Sequence, residues 1–212
     1  MNIHIIYFFR KGGLFLASTR KNFTSEDKEK LKETLREICC AFWVERGYKE
    51  TSISEFCKSA NISTGTFYNL YASKEELFLE TLKEVQSIVN EKFIEDVKQV
   101  PSKKGFVEAI ENLYSEYESK PFLYDSKTVD FLAFYNKLSR EDKAQLENDN
   151  SDYFRQAIAY ANLKLKCSEE IAFSVFSILL STVSSKDMLS KSCDFKNAFQ
   201  FMVYHLINHI FI

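Results

Sequence analysis

Three histidines, His4, His205 and His209, are the candidates for acid–base or metal chemistry in this chain. His205 and His209 are four residues apart and could bind a metal from one helix face, but the spacing of other residues offers no third ligand. The same helix carries Met202, Val203, Leu206, Ile207 and Ile210, so we interpret the two histidines as an exposed or interface pair. The chain also has no Gly-rich phosphate loop. We therefore predict neither an enzyme nor a metal site, and no cofactor.

The five cysteines lie at positions 39, 40, 57, 167 and 193. Their number is odd, their spacing is unlike that of zinc sites, and a disulfide between adjacent Cys39 and Cys40 would be strained. Free thiols in a reducing compartment explain this pattern, so we expect a cytoplasmic protein. The apolar segments 3–9 and 14–17 are too short to span a bilayer, so no membrane association is predicted.

The composition predicts an all-α fold, because only five glycines and two prolines are available for turns among 212 residues. Apolar residues recur at helical spacing, for example Leu31, Leu35, Ile38 and Phe42 before Gly47. Hydroxyl and acidic residues that can cap helices precede most of these segments. The predicted helices run from about 25 to 46, from Thr51 to 59, from Ser63 to Tyr71, from Ser73 to just before Pro101, and over 103–119, 122–137, 140–165, 168–189 and 194–211.

Two short predicted helices joined by the turn Ala60-Asn61-Ile62, with a longer helix in front, have the form of a helix-turn-helix. Asn61 can adopt the left-handed backbone conformation that such a turn needs. The second short helix of this motif is the one that enters the major groove of DNA. Phe67 and Tyr71 fall on its inward face and are predicted to be core residues.

At this point the sequence resembles the tetracycline-repressor (TetR) family of transcriptional regulators. The matching residues, in order and spacing, are Gly47-Tyr48, Thr51, Ser63, Gly65-Thr66-Phe67-Tyr68, Ser73-Lys74-Glu75 and Leu77-Phe78. The resemblance covers about residues 25–80. It implies a three-helix DNA-binding head, and it implies the following DNA-contacting residues: Thr51, Ser63, Thr64, Gly65, Thr66, Tyr68, Asn69, Leu70 and Lys74.

Hydroxyl groups and helix N-termini can donate to phosphate oxygens, Gly65 permits close approach, and Lys74 supplies positive charge. Three positions depart from the family pattern. Thr64 stands where lysine is frequent, Leu70 where histidine is common, and Asn61 where glycine is usual. The first two changes remove charge or hydrogen bonding from the DNA face, which predicts weak phosphate binding unless other cations compensate.

Charge is distributed unevenly along the chain. Residues 1–23 carry four basic and no acidic side chains, residues 24–74 carry eight of each, and residues 75–212 carry 16 basic and 22 acidic. We therefore expect three parts: a basic and apolar arm over 1–23, a helix-turn-helix DNA-binding domain over 24–74, and a helical ligand-binding and dimerisation domain over 75–212. A basic arm beside an acidic remainder suits a protein that presents one end to a polyanion.

Aromatic residues are abundant, with 20 phenylalanines and 11 tyrosines, and such rings either fill a core or line an apolar cavity. We expect a hydrophobic or aromatic small-molecule effector in the C-terminal domain. The candidate ligand-binding residues are Phe93, Tyr114, Tyr117, Phe131, Phe134, Tyr135, Tyr153 and Phe173.

These features together predict a ligand-responsive TetR-like repressor that binds double-stranded, palindromic operator DNA as a homodimer. The dimer is expected to form through the last two helices, which carry more apolar surface than one core requires. The residues expected at that interface are Phe176, Leu179, Leu180, Val183, Phe199, Val203 and Leu206. The alternative is an all-α ligand-binding or protein-interaction module without DNA binding.

Overall fold

The computed structural model describes residues 23–124, 126–146 and 151–212, and the predicted arm over 1–23 lies almost wholly outside them. The described residues form eleven α-helices and two short 3-10 helices, with one isolated β-bridge, which confirms the predicted all-α fold. The α-helices are α1 Ser25–Arg46, α2 Ile53–Ser59, α3 Thr64–Tyr68, α4 Lys74–Gln99, α5 Lys103–Ser119, α6 Val129–Tyr135, α7 Arg140–Leu146, α8 Ser151–Tyr160, α9 Glu169–Ser181, α10 Lys186–Leu189 and α11 Phe195–Ile210. The 3-10 helices are Pro121–Leu123 and Thr182–Ser185.

The N-terminal half follows the predicted helix boundaries closely because local capping determines them. Thr24, Ser63 and Ser73 accept hydrogen bonds from backbone N–H groups in the first turns of α1, α3 and α4. Gly47 ends α1 at a φ of 83°, and its N–H donates to the carbonyls of Phe42 and Trp43. One prediction is wrong: the cap of α2 is Ser52, not Thr51.

The C-terminal half differs more from its predicted boundaries. Helix α6 begins only after Thr128, whose side chain accepts from the Phe131 N–H, and the predicted helix over 140–165 is two helices, α7 and α8. Helix α9 stops at Ser181, where the hydroxyls of Ser181 and Thr182 donate to carbonyls three residues earlier. Hydroxyl side chains that compete for backbone carbonyls in this way shorten helices.

Helix α4 is the longest helix among the described residues, and it packs against other helices at both of its ends. Its 26 residues give a length of roughly 39 Å at 1.5 Å per residue. It packs against α1 at one end and against α5 and α8 at the other. The buried residues from Leu35 to Phe211 form one continuous hydrophobic cluster along it. A movement of α4 would therefore affect the helices that pack against both of its ends.

Charged side chains bind the neighbouring helices to α4. On α1, the Arg36 guanidinium is 2.6 Å from carboxylate oxygens of both Glu80 and Glu84, and only 11% of the Arg36 side chain is exposed. On α5, the Glu116 carboxylate accepts from Lys92 at 2.5 Å and from Lys120 at 2.6 Å. Burial alone would raise the pKa of Glu116, but these two cations outweigh it and hold the pKa below its ordinary value of 4.5.

The last three α-helices expose several large apolar side chains. The exposed large apolar side chains on α9, α10 and α11 are Ile171, Ile178, Met188, Phe201, Met202 and Tyr204. The segment Glu169–Leu189 is by length and composition apolar enough to cross a membrane, and only 22% of it is buried. A helix that packs against another protein chain can have the same composition.

Candidate nucleic-acid interface and ligand cavity

Helices α2 and α3 are joined by a turn that backbone hydrogen bonds hold closed. The Ala60 N–H donates to the Phe56 carbonyl and the Ile62 N–H to the Cys57 carbonyl, both at 2.9 Å. Between them Asn61 has a φ of 53°, which confirms the predicted left-handed conformation. The turn fixes the angle at which α3 leaves α2, as a helix-turn-helix requires.

Helix α3 is short, so its position depends on what anchors it. Phe67 is fully buried and Tyr71 nearly so, as their predicted inward orientation requires. The Ser63 and Thr66 hydroxyl oxygens are 2.9 Å apart and hydrogen-bonded to each other, and Ser63 Oγ also accepts from the Thr66 N–H at 3.0 Å. The opposite face therefore presents a small set of ordered polar groups.

Part of the predicted DNA-contacting set lies on that open face. Thr64, Gly65 and Asn69 are exposed, and Tyr68 is 54% exposed with its ring directed away from the core. Thr66 is half-buried beside Ser63. These side chains can donate to phosphate oxygens or reach base edges from one surface.

Three predicted DNA contacts are placed differently. Thr51 is only 4% exposed, and its hydroxyl donates to the Tyr48 carbonyl at 2.9 Å. Leu70 is 8% exposed and belongs to the hydrophobic core, so it is a packing residue in this structure. Both predictions are corrected to this extent: neither side chain lies on the exposed face of α3. The sequence motif marked their positions but not the direction of their side chains.

Lys74 is the third. Its ammonium donates to the carbonyls of Tyr48 at 2.8 Å and Thr51 at 3.0 Å, and it lies 3.8 Å from the centre of the Tyr48 ring. Burial lowers the pKa of Lys74. The side chain thus ties the start of α4 to the loop between α1 and α2, and in this arrangement it is not a free cation for phosphate.

The exposed face of α3 is electrically neutral. Residues 59–73 contain no charged side chain, and the exposed lysines nearest to them in sequence on the N-terminal side are Lys49 and Lys58. Lysine and arginine contacts with phosphate dominate the affinity of most DNA-binding proteins. Any DNA affinity of this head thus relies on hydroxyl, phenol and amide groups and on cations outside α3.

A carboxylate from α6 joins the head to the rest of the molecule. Asp130 accepts from the Tyr48 N–H at 2.7 Å through one oxygen and from the Lys49 N–H at 2.8 Å through the other. The preceding Gly47 is in close contact with it, because a Cβ at Gly47 would lie 2.7 Å from the Asp130 carboxyl carbon. Asp130 thus fixes the α1–α2 loop from 82 residues away.

An aromatic cluster surrounds this junction. Trp43 stacks on Phe122 with ring centres 4.5 Å apart, and the edges of Phe78 and Phe134 meet the Trp43 ring at 4.7 and 5.1 Å. Phe131 stacks more loosely on Trp43, at 6.4 Å. These rings form a packed contact between the head and α6.

A separate cavity of about 390 Å³ opens between α4, α5, α8 and α9. Its size falls within the range of small-molecule sites in proteins. Its apolar lining residues are Phe93, Ile110, Leu113, Leu123, Phe154, Phe173, Phe176 and Leu180, and its polar lining residues are Asn90, Tyr117, Tyr124, Ser126, Lys127, Tyr153, Ser177, Ser181 and Ser184.

Four of the predicted ligand-binding residues line this cavity: Phe93, Tyr117, Tyr153 and Phe173. The other four do not, which corrects their assignment. Phe131, Phe134 and Tyr135 belong to the aromatic contacts of α6, and Tyr114 packs on Phe199 with ring centres 4.0 Å apart. Helical spacing identifies the inward face of a helix, but it does not distinguish a ring that packs from a ring that borders a void.

Of the three histidines, His205 and His209 lie within the described residues, and His4 lies outside them. His205 packs on the rings of Phe201 and Tyr204 at the surface of α11, and all five cysteines are free thiols. Within residues 23–124, 126–146 and 151–212, no group of three His, Cys, Asp or Glu side chains is placed to hold a metal ion.

The model of the N-terminal domain of the bacterial regulatory proteins of the tetR family matches residues 40–81. This segment runs from the end of α1 through the helix-turn-helix into α4. Residues 40–81 therefore match the helix-turn-helix domain of the tetR family. The match accounts for the helix-turn-helix head, and no curated protein sequence matches this chain.

Solved structures with a similar fold extend the likeness over most of the chain. A TetR-family transcription regulator from Marinobacter aquaeolei has a TM-score of 0.59 at 15% identity, covering 89% of this chain and 99% of its own. The superantigen PfiT has a TM-score of 0.64 at 13% identity, covering 86% and 97%. The regulator FadR from Bacillus subtilis, solved with stearoyl-CoA, has a TM-score of 0.57 at 16% identity, covering 83% and 95%. At these identities the likeness concerns the fold.

Proposed function

We propose that this chain is a transcriptional repressor of the tetR family that binds double-stranded operator DNA and releases it when a small molecule occupies the cavity. The observation that carries the proposal is the outward face of α3, where Tyr68 and its polar neighbours are exposed on a helix held by a closed turn. We propose Ser63, Thr64, Gly65, Thr66, Tyr68 and Asn69 as the DNA-contacting residues. Residues 24–74 are the proposed DNA-binding domain and residues 75–212 the proposed regulatory domain.

We propose that the repressor acts as a homodimer through α9 and α11. The interface residues expected from the sequence are largely core residues instead, since Phe176, Leu179, Val183, Phe199 and Val203 are each at most 4% exposed. The apolar side chains that remain for a partner are Ile171, Ile178, Phe201 and Tyr204, all more than half exposed. A two-fold dimer would make the operator palindromic, because each head would read one half-site.

The structure offers a physical route for release. The proposed effector cavity borders α4, whose other end carries Lys74 against the α1–α2 loop. Asp130 holds the same loop from α6. A ligand that prefers one position of α4 and α6 would therefore favour one spacing of the two heads, and the resulting coupling would reduce operator affinity.

The proposal is tested by a gel shift with the DNA upstream of the chain's own gene. Tyr68→Ala should weaken binding across operator sequences, because contacts to the DNA backbone set affinity more than base choice. Tyr160→Ala is the matched control: Tyr160 is a similarly exposed tyrosine, 47% against 54%, and lies on α8 far along the chain from the helix-turn-helix. Equal binding by wild type and Tyr68→Ala would contradict the proposed DNA face.

The second candidate is an all-α ligand-binding or protein-interaction module that does not bind DNA. The neutral surface over residues 59–73 favours it, since phosphate binding normally uses cations. The superantigen PfiT shares the fold, so the fold alone does not decide function. Absence of any salt-dependent DNA binding, together with retained ligand binding, would establish this candidate over the repressor.

A further inference from the structure

The cavity is bordered by a largely buried amide that makes no hydrogen bond to another described residue. Asn90 lies within α4 and is only 8% exposed, and it borders the cavity together with Phe93 one turn further along the helix. Within the part of the chain that the structure describes, its side-chain amide makes no hydrogen bond. The other buried polar residue in this helix, Thr81, lies two and a half turns earlier and outside the cavity lining.

The polar atoms of this amide are accessible from the cavity, so in the ligand-free protein water can satisfy them. A ligand that displaces this water without replacing its hydrogen bonds would leave the amide unsatisfied. A carboxamide has an acceptor oxygen and two donor hydrogens, so only a group that both donates and accepts can satisfy it fully. Because it borders a void, its missing partner can be supplied by a ligand.

The surroundings define the rest of that ligand. The walls near Asn90 are mostly apolar or aromatic, with Phe93, Ile110 and Phe176 among them. Tyr117 adds a hydroxyl, and burial raises the pKa of Tyr117, so the phenol stays neutral and can donate. Among the lining residues that the structure describes, Lys127 is the charged one, and it is exposed to solvent.

We propose that Asn90 is the polar anchor of the cavity and that the effector is a neutral, largely aromatic or apolar molecule carrying one carboxamide-like group that donates and accepts. This inference rests on the proposed function only in calling the ligand an effector, because ligand binding itself requires no DNA. The apolar walls supply affinity in proportion to the area buried, and Asn90 selects the ligand that has the complementary polar group.

The test uses three probes of nearly the same shape. 2-Naphthamide donates and accepts, 2-acetonaphthone only accepts, and 2-isopropylnaphthalene does neither. Each is titrated with the full chain and with Asn90→Leu, in which a leucine of similar shape replaces the amide, and dissociation constants are taken from the naphthalene fluorescence. The ratio of the two constants for each probe cancels the probe's own hydrophobicity.

The anchor predicts a graded result. Asn90→Leu should weaken the binding of 2-naphthamide about tenfold and the binding of 2-acetonaphthone less. The affinity for 2-isopropylnaphthalene should stay unchanged or increase. Thr81→Val, which removes a buried hydroxyl of the same helix outside the cavity, should change none of the three. The same ratio for all three probes, or no saturable binding of any of them, would overturn the proposal.

The ligand-free protein provides a second readout. Because the Asn90 amide makes no hydrogen bond to another described residue, Asn90→Leu should not lower the melting temperature of the ligand-free protein. A lower melting temperature would mean that the amide has a structural role in the ligand-free protein, which also overturns the proposal. Gel shifts with 2-naphthamide test the repressor mechanism separately from the role of Asn90. Selective binding of 2-naphthamide without release of DNA would contradict the repressor mechanism and would still support Asn90 as the polar anchor.

Discussion

Replacing Asp130 with alanine removes the carboxylate that accepts from the Tyr48 and Lys49 N–H groups at 2.7 and 2.8 Å. Hydrogen bonds to a charged group contribute about 1.5–3 kcal/mol each when buried. One of these two is solvent-exposed, and both amides can rehydrate, so we expect a loss of about 2 kcal/mol in total rather than the full sum. For a chain of this length that corresponds to a decrease of roughly 4–8 °C in melting temperature.

The assay is urea and thermal unfolding of Asp130→Ala beside Asp152→Ala. Both aspartates lie in the first turn of a helix, α6 and α8, so both substitutions lose the same favourable interaction with the helix dipole. Among the described residues, Asp152 pairs with Arg155 on its own helix, so its loss should stay within about 1 kcal/mol. The difference between the two variants measures the contact with the head.

A combined substitution at Gly47 and Asp130 tests the same contact. Gly47→Ala introduces strain at a φ of 83° and places a Cβ 2.7 Å from the Asp130 carboxyl carbon. In the Asp130→Ala background the second cost disappears, so the two substitutions together should be milder than their sum by at least about 0.5 kcal/mol. Additive effects, with Asp130→Ala no worse than Asp152→Ala, would show that the carboxylate does not hold the head.

Four shorter predictions follow from the same structure. Leu70→Ala should destabilise the protein by about 2–4 kcal/mol in urea unfolding because the side chain is buried, whereas Tyr68→Ala should change stability by less than about 0.5 kcal/mol and act on DNA binding. Ile178→Glu should convert a dimer into a 24.8 kDa monomer by light scattering, unless α9 is not the interface. Deleting residues 1–23, with their four cations, should flatten the salt dependence of DNA binding, and equal slopes would show that the arm does not contact DNA. Glu116 has a lowered pKa in the folded state, so its contribution is present above pH 4.5 and lost as the pH falls below it; Glu116→Gln should reduce the loss of stability on acidification, and identical pH profiles would contradict this.

The helix-turn-helix could be derived from the sequence because short-range interactions specify it. Ser63 accepts from an N–H three residues later, Asn61 tolerates a positive φ, and Gly47 ends its helix by the same freedom. All of these involve residues fewer than six positions apart. The tetR-like spacing of residues 47–78 could be recognised for the same reason, since local geometry is repeated wherever the motif occurs.

The direction of individual side chains within that motif required the tertiary structure. Leu70 and Lys74 occupy positions that face DNA in the family pattern, yet Leu70 is buried and Lys74 donates to Tyr48 and Thr51 carbonyls. A leucine in place of a polar residue gains more from the core than from water, which turns it inward. The sequence contained this signal, because it predicted that the leucine weakens the DNA face.

The cavity and the Asp130 contact depended on tertiary structure alone. Asp130 meets Tyr48 across 82 residues, and the cavity is a void between helices that are distant in sequence. Helical periodicity places an aromatic ring on an inward face. Phe93 and Phe134 were therefore both predicted to bind the ligand. Whether the inward side meets another ring or empty space depends on how whole helices pack, and that packing is set by side-chain volumes summed over every element of the core.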